Sequence, residues 1–262
     1  QKAVDRDESF ARAWYNLGKI AQLRGDFDGA NEAYNNAATH DGAFAAPLVN
    51  KGIIAIEQGK SDVAFELFER AAEVEKYNPQ AHVNLAVLYR MRDNYPEAVQ
   101  NVRKALAGDS TSLGAYNALA RIYYDLEKYE LAKLVCFNAL KFDAEDSNIH
   151  NILGLINLRL DEVTPALTEF RKAVKSDPDF AEAHMNIGAV ALSTRDYDTA
   201  LKHFEEVRRL EPKNTEAILS IAVVYRGKQD LDRAMSGYRE VLKLEPENAR
   251  AHFNIAVMHH EI

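Results

Sequence analysis

The chain has 262 residues, 47% hydrophobic and 27% charged, with 40 acidic side chains against 32 basic ones and a formal charge of −8. This is the composition of a water-soluble protein, and no uninterrupted apolar run is long enough to span a bilayer. The acidic excess argues against nucleic acid and anionic membrane as partners of the whole surface.

In chain order, the sequence returns to one pattern every 34 residues with no insertion. Gln1–Phe10 fall on the last ten places of a unit whose beginning is outside the sequence, with Ala3 in that unit's alanine column. Units then begin at residues 11, 45, 79, 113, 147, 181 and 215, and residues 249–262 supply the first helix of an eighth. The unit is clearest at Ala181–Asn214. Ala183, Ile187 and Ala191 recur in steps of four, and Ala200, Phe204 and Val207 in steps of four and three, which predicts two one-sided helices. The short polar stretch Thr194–Asp196 separates them, and Pro212 stops the second.

Three columns fix this register. The eighth place holds Gly18, Gly52, Ala86, Ala120, Gly154, Gly188, Ala222 and Ala256, and the twentieth is alanine from Ala30 through Ala234. The twenty-seventh holds Ala37, Ala71, Ala105, Ala139, Ala173, Val207 and Val241. Small residues at the eighth and twentieth places let two helices approach closely. The twenty-fourth place then fills the space beyond, with Tyr34, Phe68, Val102, Cys136, Phe170, Phe204 and Tyr238. All seven prolines fall at predicted helix starts or in turns, where they do not cost the roughly 3 kcal/mol of a helix interior. Cys136 is accordingly core filling rather than a nucleophile. A lone cysteine permits no intrachain disulfide, which slightly favours a cytoplasmic location and leaves a periplasmic or envelope location open.

The pattern resembles the tetratricopeptide repeat family, whose 34-residue helix–turn–helix carries a Trp-xx-Leu-Gly-xx-Tyr, Ala, Phe, Ala, Pro signature. Trp14, Leu17 and Gly18 match its opening, and Ala200, Phe204 and Pro212 its later half. His82, His150, His184 and His252 stand in place of the tryptophan, Lys51 in place of the leucine and Asn157 in place of the tyrosine. The resemblance implies an all-α, right-handed superhelical solenoid of antiparallel helix pairs, a single elongated array over residues 11–262, with first helices lining the concave wall. Neither end shows a polar capping helix, so a fragment of a longer repeat protein is expected, with self-association through the uncapped terminal repeats open to it.

Function is expected on the inner wall. The sixth place reads Asn16, Asn50, Asn84, Ala118, Ile152, Asn186, Ser220 and Asn254. An amide offers both a donor and an acceptor, so such a column can grip the backbone of an extended peptide, or can simply be solvated. It resembles the asparagine ladder in the repeat arm of O-linked N-acetylglucosamine transferases. Around it lie Val49, Ile53, Ile56, Val83, Val87 and Met91, either an exposed stripe marking a partner site or residues covered by the neighbouring repeat. Arg90, Arg121 and Arg159, from consecutive units, form a basic patch suited to a carboxylate or stand as separate solvated charges.

The fifth place lacks the lysine that the family's chaperone-tail clamp needs, so that mode is not expected. The fourth-place histidines recur at unit spacing; packed helices lie about 10 Å apart, too far to share a metal bound at about 2.1 Å. They are expected as half-buried packing residues, and His259, His260 and Glu261 as a frayed end. No phosphate loop, catalytic constellation, metal or cofactor is expected. The expected function is protein binding in the concave groove, by a non-enzymatic scaffold. The alternative is the substrate-recruiting arm of a larger enzyme such as a glycosyltransferase.

Overall fold

The computed structural model describes residues 10–261, with side chains through Met258. Ala3 and its neighbours, expected to end a preceding repeat, lie outside the described residues, as do the side chains of His259, His260 and Glu261.

The described residues form fifteen α-helices and no strand. The first helices of successive repeats are α1 (Ala11–Leu23), α3 (Ala46–Glu57), α5 (Pro79–Met91), α7 (Leu113–Asp125), α9 (Ser147–Arg159), α11 (Ala181–Ser193), α13 (Thr215–Gly227) and α15 (Ala249–Glu261). The second helices are α2 (Phe27–His40), α4 (Ser61–Val74), α6 (Tyr95–Gly108), α8 (Tyr129–Ala139), α10 (Val163–Ser176), α12 (Tyr197–Leu210) and α14 (Leu231–Leu244). Each first helix packs on the second helix that follows it, giving an all-α solenoid of helix hairpins. The helices gather into two compact units that divide between Phe142 and Asp143. The first holds α1–α8 and the second α9–α15.

Burial follows the columns. Every twentieth-place alanine is fully buried, and every twenty-fourth-place side chain is at most 1% exposed. The reason for glycine at the eighth place is steric: a Cβ on Gly18, Gly52, Gly154 or Gly188 would stand about 2.5 Å from the ring of Tyr34, Phe68, Phe170 or Phe204, too close for any methyl group. Where the twenty-fourth place is the smaller Val102 or Cys136, the eighth can be Ala86 or Ala120. Repeat seven carries both Ala222 and Tyr238, and the missing volume is supplied from the other helix. There Gly237 lies where a Cβ would come within 2.7 Å of the Ala222 methyl.

Helix starts are capped by side chains at Asp26, Asn78, Asn94, Ser112, Asp146, Asp196, Asn214 and Asp230, each accepting from the amide three residues on. The turn inside every repeat uses one left-handed residue at the fifteenth place: Gly25, Gly59, Asp93, Glu127, Asp161, Arg195 and Gln229, with φ between 55° and 74°. Only two of the seven are glycine, so the other five hold a conformation that an L side chain disfavours.

Candidate partner-binding face

In the first unit, α1, α2 and α3 enclose an open cleft of about 470 Å³, lined by Lys19, Gln22, Leu23, Phe27, Asn50 and Glu57. Leu23 is 86% exposed there, and Ile56 (41%) and Met91 (67%) continue the apolar exposure along the first helices. Asn50 is fixed by its surroundings. Its Nδ2 donates to the Tyr34 hydroxyl at 2.9 Å and the Tyr15 hydroxyl at 3.4 Å, and Tyr34 in turn donates to Gln22 Oε1 at 2.8 Å. Burial raises the Tyr34 phenol above its ordinary pKa, which keeps it a neutral donor in this chain. With the amide donors of Asn50 spent inward, its carbonyl oxygen is the atom left to meet a ligand.

The other members of the asparagine column are held differently. Asn84 Nδ2 donates to the Gln80 carbonyl of its own helix at 2.9 Å, and Asn186 Nδ2 to Asn151 Oδ1 at 2.9 Å. Asn254 is engaged at both ends, donating to the Arg250 carbonyl and accepting from Arg226. Asn16 is exposed, while Ala118, Ile152 and Ser220 are buried. Asn50, Asn186 and Asn254 thus bridge neighbouring helices, whereas Asn84 bonds within its own helix and Asn16 is exposed.

The apolar wall is likewise mostly covered. Val49 is 4% exposed, Ile53 packs on the core around Phe68, and Val83 and Val87 pack on the core around Val102. These side chains pack against buried cores, whereas Ile56 on α3 and Met91 on α5 are exposed. Arg90 is paired with Asp125 of the next repeat at 2.6 Å, and Arg121 Nε donates to Asn117 at 3.3 Å on its own helix. Arg159 belongs to the second unit. Arg90 thus already has its carboxylate.

The fourth-place histidines have a role that their spacing alone does not reveal. In all four, Nε2 lies 2.8–3.0 Å from the backbone carbonyl six residues earlier, in the turn entering the repeat: Lys76, Ala144, Pro178 and Pro246. In three of them Nδ1 meets a side chain nineteen residues on, at the twenty-third place: Asn101 Oδ1 at 2.8 Å, Glu169 Oε2 at 2.6 Å and His203 Nδ1 at 2.8 Å. Where the fourth place is Trp14, Leu48, Tyr116 or Ile218, the twenty-third is Ala33, Leu67, Val135 or Gly237. A buried imidazole needs a polar partner for its second ring nitrogen, and the side chains that replace it at the other repeats have no such nitrogen to satisfy across the hairpin. This pairing is visible in the sequence as a correlation between two columns. Among the described residues, no group of three His, Cys, Asp or Glu side chains could hold a metal. No helix among them is long and apolar enough to cross a membrane.

Tetratricopeptide repeat family models match residues 1–46, 49–112 and 153–215, with further tetratricopeptide models at 113–146 and 191–252. No curated protein matches the chain in sequence. Among solved structures, the chain is similar to one in the APC/C hetero-tetramer Cut9–Hcn1, with TM-score 0.74 and 16% identity over 94% of this chain. It spans 46% of that chain, about half its length. It is also similar to PilF of Pseudomonas aeruginosa, with TM-score 0.66 and 22% identity over 82% of this chain and 98% of that one. A third likeness is to YrrB, described as a TPR protein with an unusual peptide-binding site, with TM-score 0.52 and 24% identity over 72% of this chain and 97% of that one. At these identities the likenesses concern the fold. The repeat register, the buried columns and the family models agree: the chain belongs to the tetratricopeptide repeat family.

Proposed function

We propose that this repeat scaffold takes up an extended segment of another protein on the first-helix face of its first unit, with the cleft between α1, α2 and α3 as the anchoring pocket. The observation that carries the reading is Leu23. An 86% exposed leucine beside Phe27 and the oriented amide of Asn50 combines an apolar contact with a single, pre-aimed acceptor. A peptide would seat an apolar side chain against Leu23 and Phe27 and donate a backbone N–H to the Asn50 oxygen, while Lys19 and Glu57 meet polar groups at the rim.

The test is a peptide selected from a displayed random library against the chain, then titrated calorimetrically. Leu23→Asp is expected to weaken binding at least tenfold, because it places a charge in the apolar contact, and Asn50→Ala about threefold to tenfold. Leu23 is exposed, so its replacement leaves the helix content unchanged. Peptides that bind both variants as tightly as the parent would remove the cleft from this reading.

A further inference from the structure

Three side chains form a relay beneath the cleft of the first unit. Tyr34 is fully buried and meets two amides with one hydroxyl, donating to Gln22 Oε1 at 2.8 Å and accepting from Asn50 Nδ2 at 2.9 Å. A phenol has a single proton, so of two amides bonded to it one offers its oxygen and the other its nitrogen. The opposition carries through to the outward atoms. Gln22 spends its oxygen on Tyr34 and keeps the donor Nε2, while Asn50 spends its nitrogen on Tyr34 and Tyr15 and keeps the acceptor Oδ1. Both residues are half-buried and line the cleft beside Leu23 and Phe27. Repeat seven has a tyrosine and an asparagine at the same places, Tyr238 and Asn254, but Arg226 stands where repeat one has the glutamine. There Arg226 donates to Asn254 Oδ1 and Asn254 Nδ2 donates to the Arg250 carbonyl, so the asparagine is used up inside the fold.

We propose that Gln22 and Asn50 together read the main chain of one extended residue of the partner segment, its N–H donating to Asn50 Oδ1 and its C=O accepting from Gln22 Nε2. This rests on the cleft as the anchoring pocket. It adds Gln22 as a second contact and Tyr34 as a positioning residue that never touches the segment. The N–H and C=O of one extended residue lie on the same edge of the chain, and in an antiparallel bridge the facing residue exchanges both bonds with them. Two amides held on one hydroxyl oxygen present the same donor and acceptor side by side. A carboxylate offers only acceptors and would leave Asn50 unmet, and a guanidinium offers only donors and would leave Gln22 unmet. Two-point contact also sets direction: the segment runs with the amino side of that residue toward α3 and its carboxyl side toward α1. Its side chains stay free to use Leu23 and Phe27, so the amides supply orientation and the apolar contact supplies the anchor.

The library-selected peptide serves as the probe, with its residues N-methylated one at a time. Methylation at one residue is expected to weaken binding to the parent chain about tenfold and to cost nothing further in Asn50→Ala, where the acceptor is gone. Gln22→Glu still accepts from Tyr34 but turns an acceptor toward the peptide carbonyl, and is expected to weaken binding about tenfold. Tyr34→Phe keeps the buried ring and removes the hydroxyl that orients both amides. It is expected to weaken binding about threefold to tenfold with an unchanged circular dichroism spectrum, and to shrink the methylation penalty, which a loss of packing alone would not do. Leu23→Asp separates this proposal from the reading it rests on. A peptide that is weakened by Leu23→Asp yet binds Gln22→Glu and Tyr34→Phe as tightly as the parent keeps the cleft and overturns the two-point contact. So does a peptide in which no single methylation matters. A peptide whose sensitivity to Gln22→Glu vanishes when one of its own glutamine or asparagine side chains is replaced overturns it too, because a side-chain carboxamide would then occupy the pair. Indifference to Leu23→Asp, Gln22→Glu and Tyr34→Phe alike overturns both.

Discussion

Repeats five and six occupy the same unit, share the same backbone plan and hold a histidine in the same place, yet that histidine faces a carboxylate in one and a second imidazole in the other. His150 faces two acceptors, Glu169 Oε2 and the Ala144 carbonyl, and the hydrogen bond to Glu169 raises its pKa against the opposing effects of burial and Lys172. Glu169 is itself pushed up by burial, but the hydrogen bonds from His150 and Lys172 outweigh this and leave it below the ordinary carboxylate value. In repeat six, His184 donates through Nε2 to the Pro178 carbonyl and turns Nδ1 to His203 Nδ1, so one proton lies between two rings. Burial first, then the neighbouring His184, Lys202 and Arg171, pull the pKa of His203 down to about 4, with Glu206 opposing. A single exchange at the twenty-third place, glutamate for histidine, separates the two cases. The scaffold sets where the ring sits, and the residue across the hairpin sets what its Nδ1 meets.

The largest expected effect checks that the two repeats are otherwise equal. Phe170→Ala and Phe204→Ala each open a cavity beneath an eighth-place glycine and are expected to cost about 3–5 kcal/mol. Denaturant melts at pH 7.5 should give matching losses, and a large mismatch would mean that the repeats differ in more than their histidine partners.

The next effect is the pH dependence itself. His203 has a lowered folded pKa, so its stabilising contribution is present above the unfolded value near 6.5 and is lost as pH falls through that value toward about 4. His150 has a raised folded pKa, so its contribution is full below the unfolded value and is lost as pH rises through the folded one. Glu169 has a lowered pKa, and its contribution persists until pH falls below the ordinary carboxylate range. Moving from pH 7 to 5, hydrogen exchange should show α11 and α12 losing protection while α9 and α10 keep theirs. The full span to pH 4 is worth about 2 kcal/mol for His203, whose partial exposure lets solvent screen part of the effect. His203→Glu should abolish the acid loss in repeat six, and Glu169→His should transfer it to repeat five. Protection that falls equally in both repeats would break the comparison.

The smallest effect concerns the turns. Asp161 and Arg195 hold φ of 59° and 62° at equivalent places. Replacement by glycine should stabilise each repeat by about 0.5 kcal/mol at any pH, somewhat more at Arg195 because aspartate tolerates the left-handed region better. Thermal melts of the two variants would measure it.

The fold was legible because close packing leaves letters at fixed intervals: the alanines at the twentieth place and the rings at the twenty-fourth need no tertiary knowledge to be seen. The left-handed turn was legible at Gly25 and Gly59, but not at Asp93, Glu127, Asp161, Arg195 or Gln229, where a regular backbone overrides residue preference. The asparagine column was legible as a column. What each amide bonds to was not, since Asn50 depends on hydroxyls from α1 and α2, brought to it only by the hairpin before its own. Val49 illustrates the same limit: an apolar first-helix place off the intra-repeat seam reads alike whether it meets a guest or the adjoining repeat, and here it meets the latter.

Gly237 shows what such arrays ask of anyone aligning or redesigning them. Repeat seven keeps a methyl where its neighbours have none and removes one from the facing helix, so the invariant is a summed volume shared by two distant letters. A substitution table that scores each position alone would penalise Ala222 and Gly237 separately, although together they restore the spacing that either change alone would spoil.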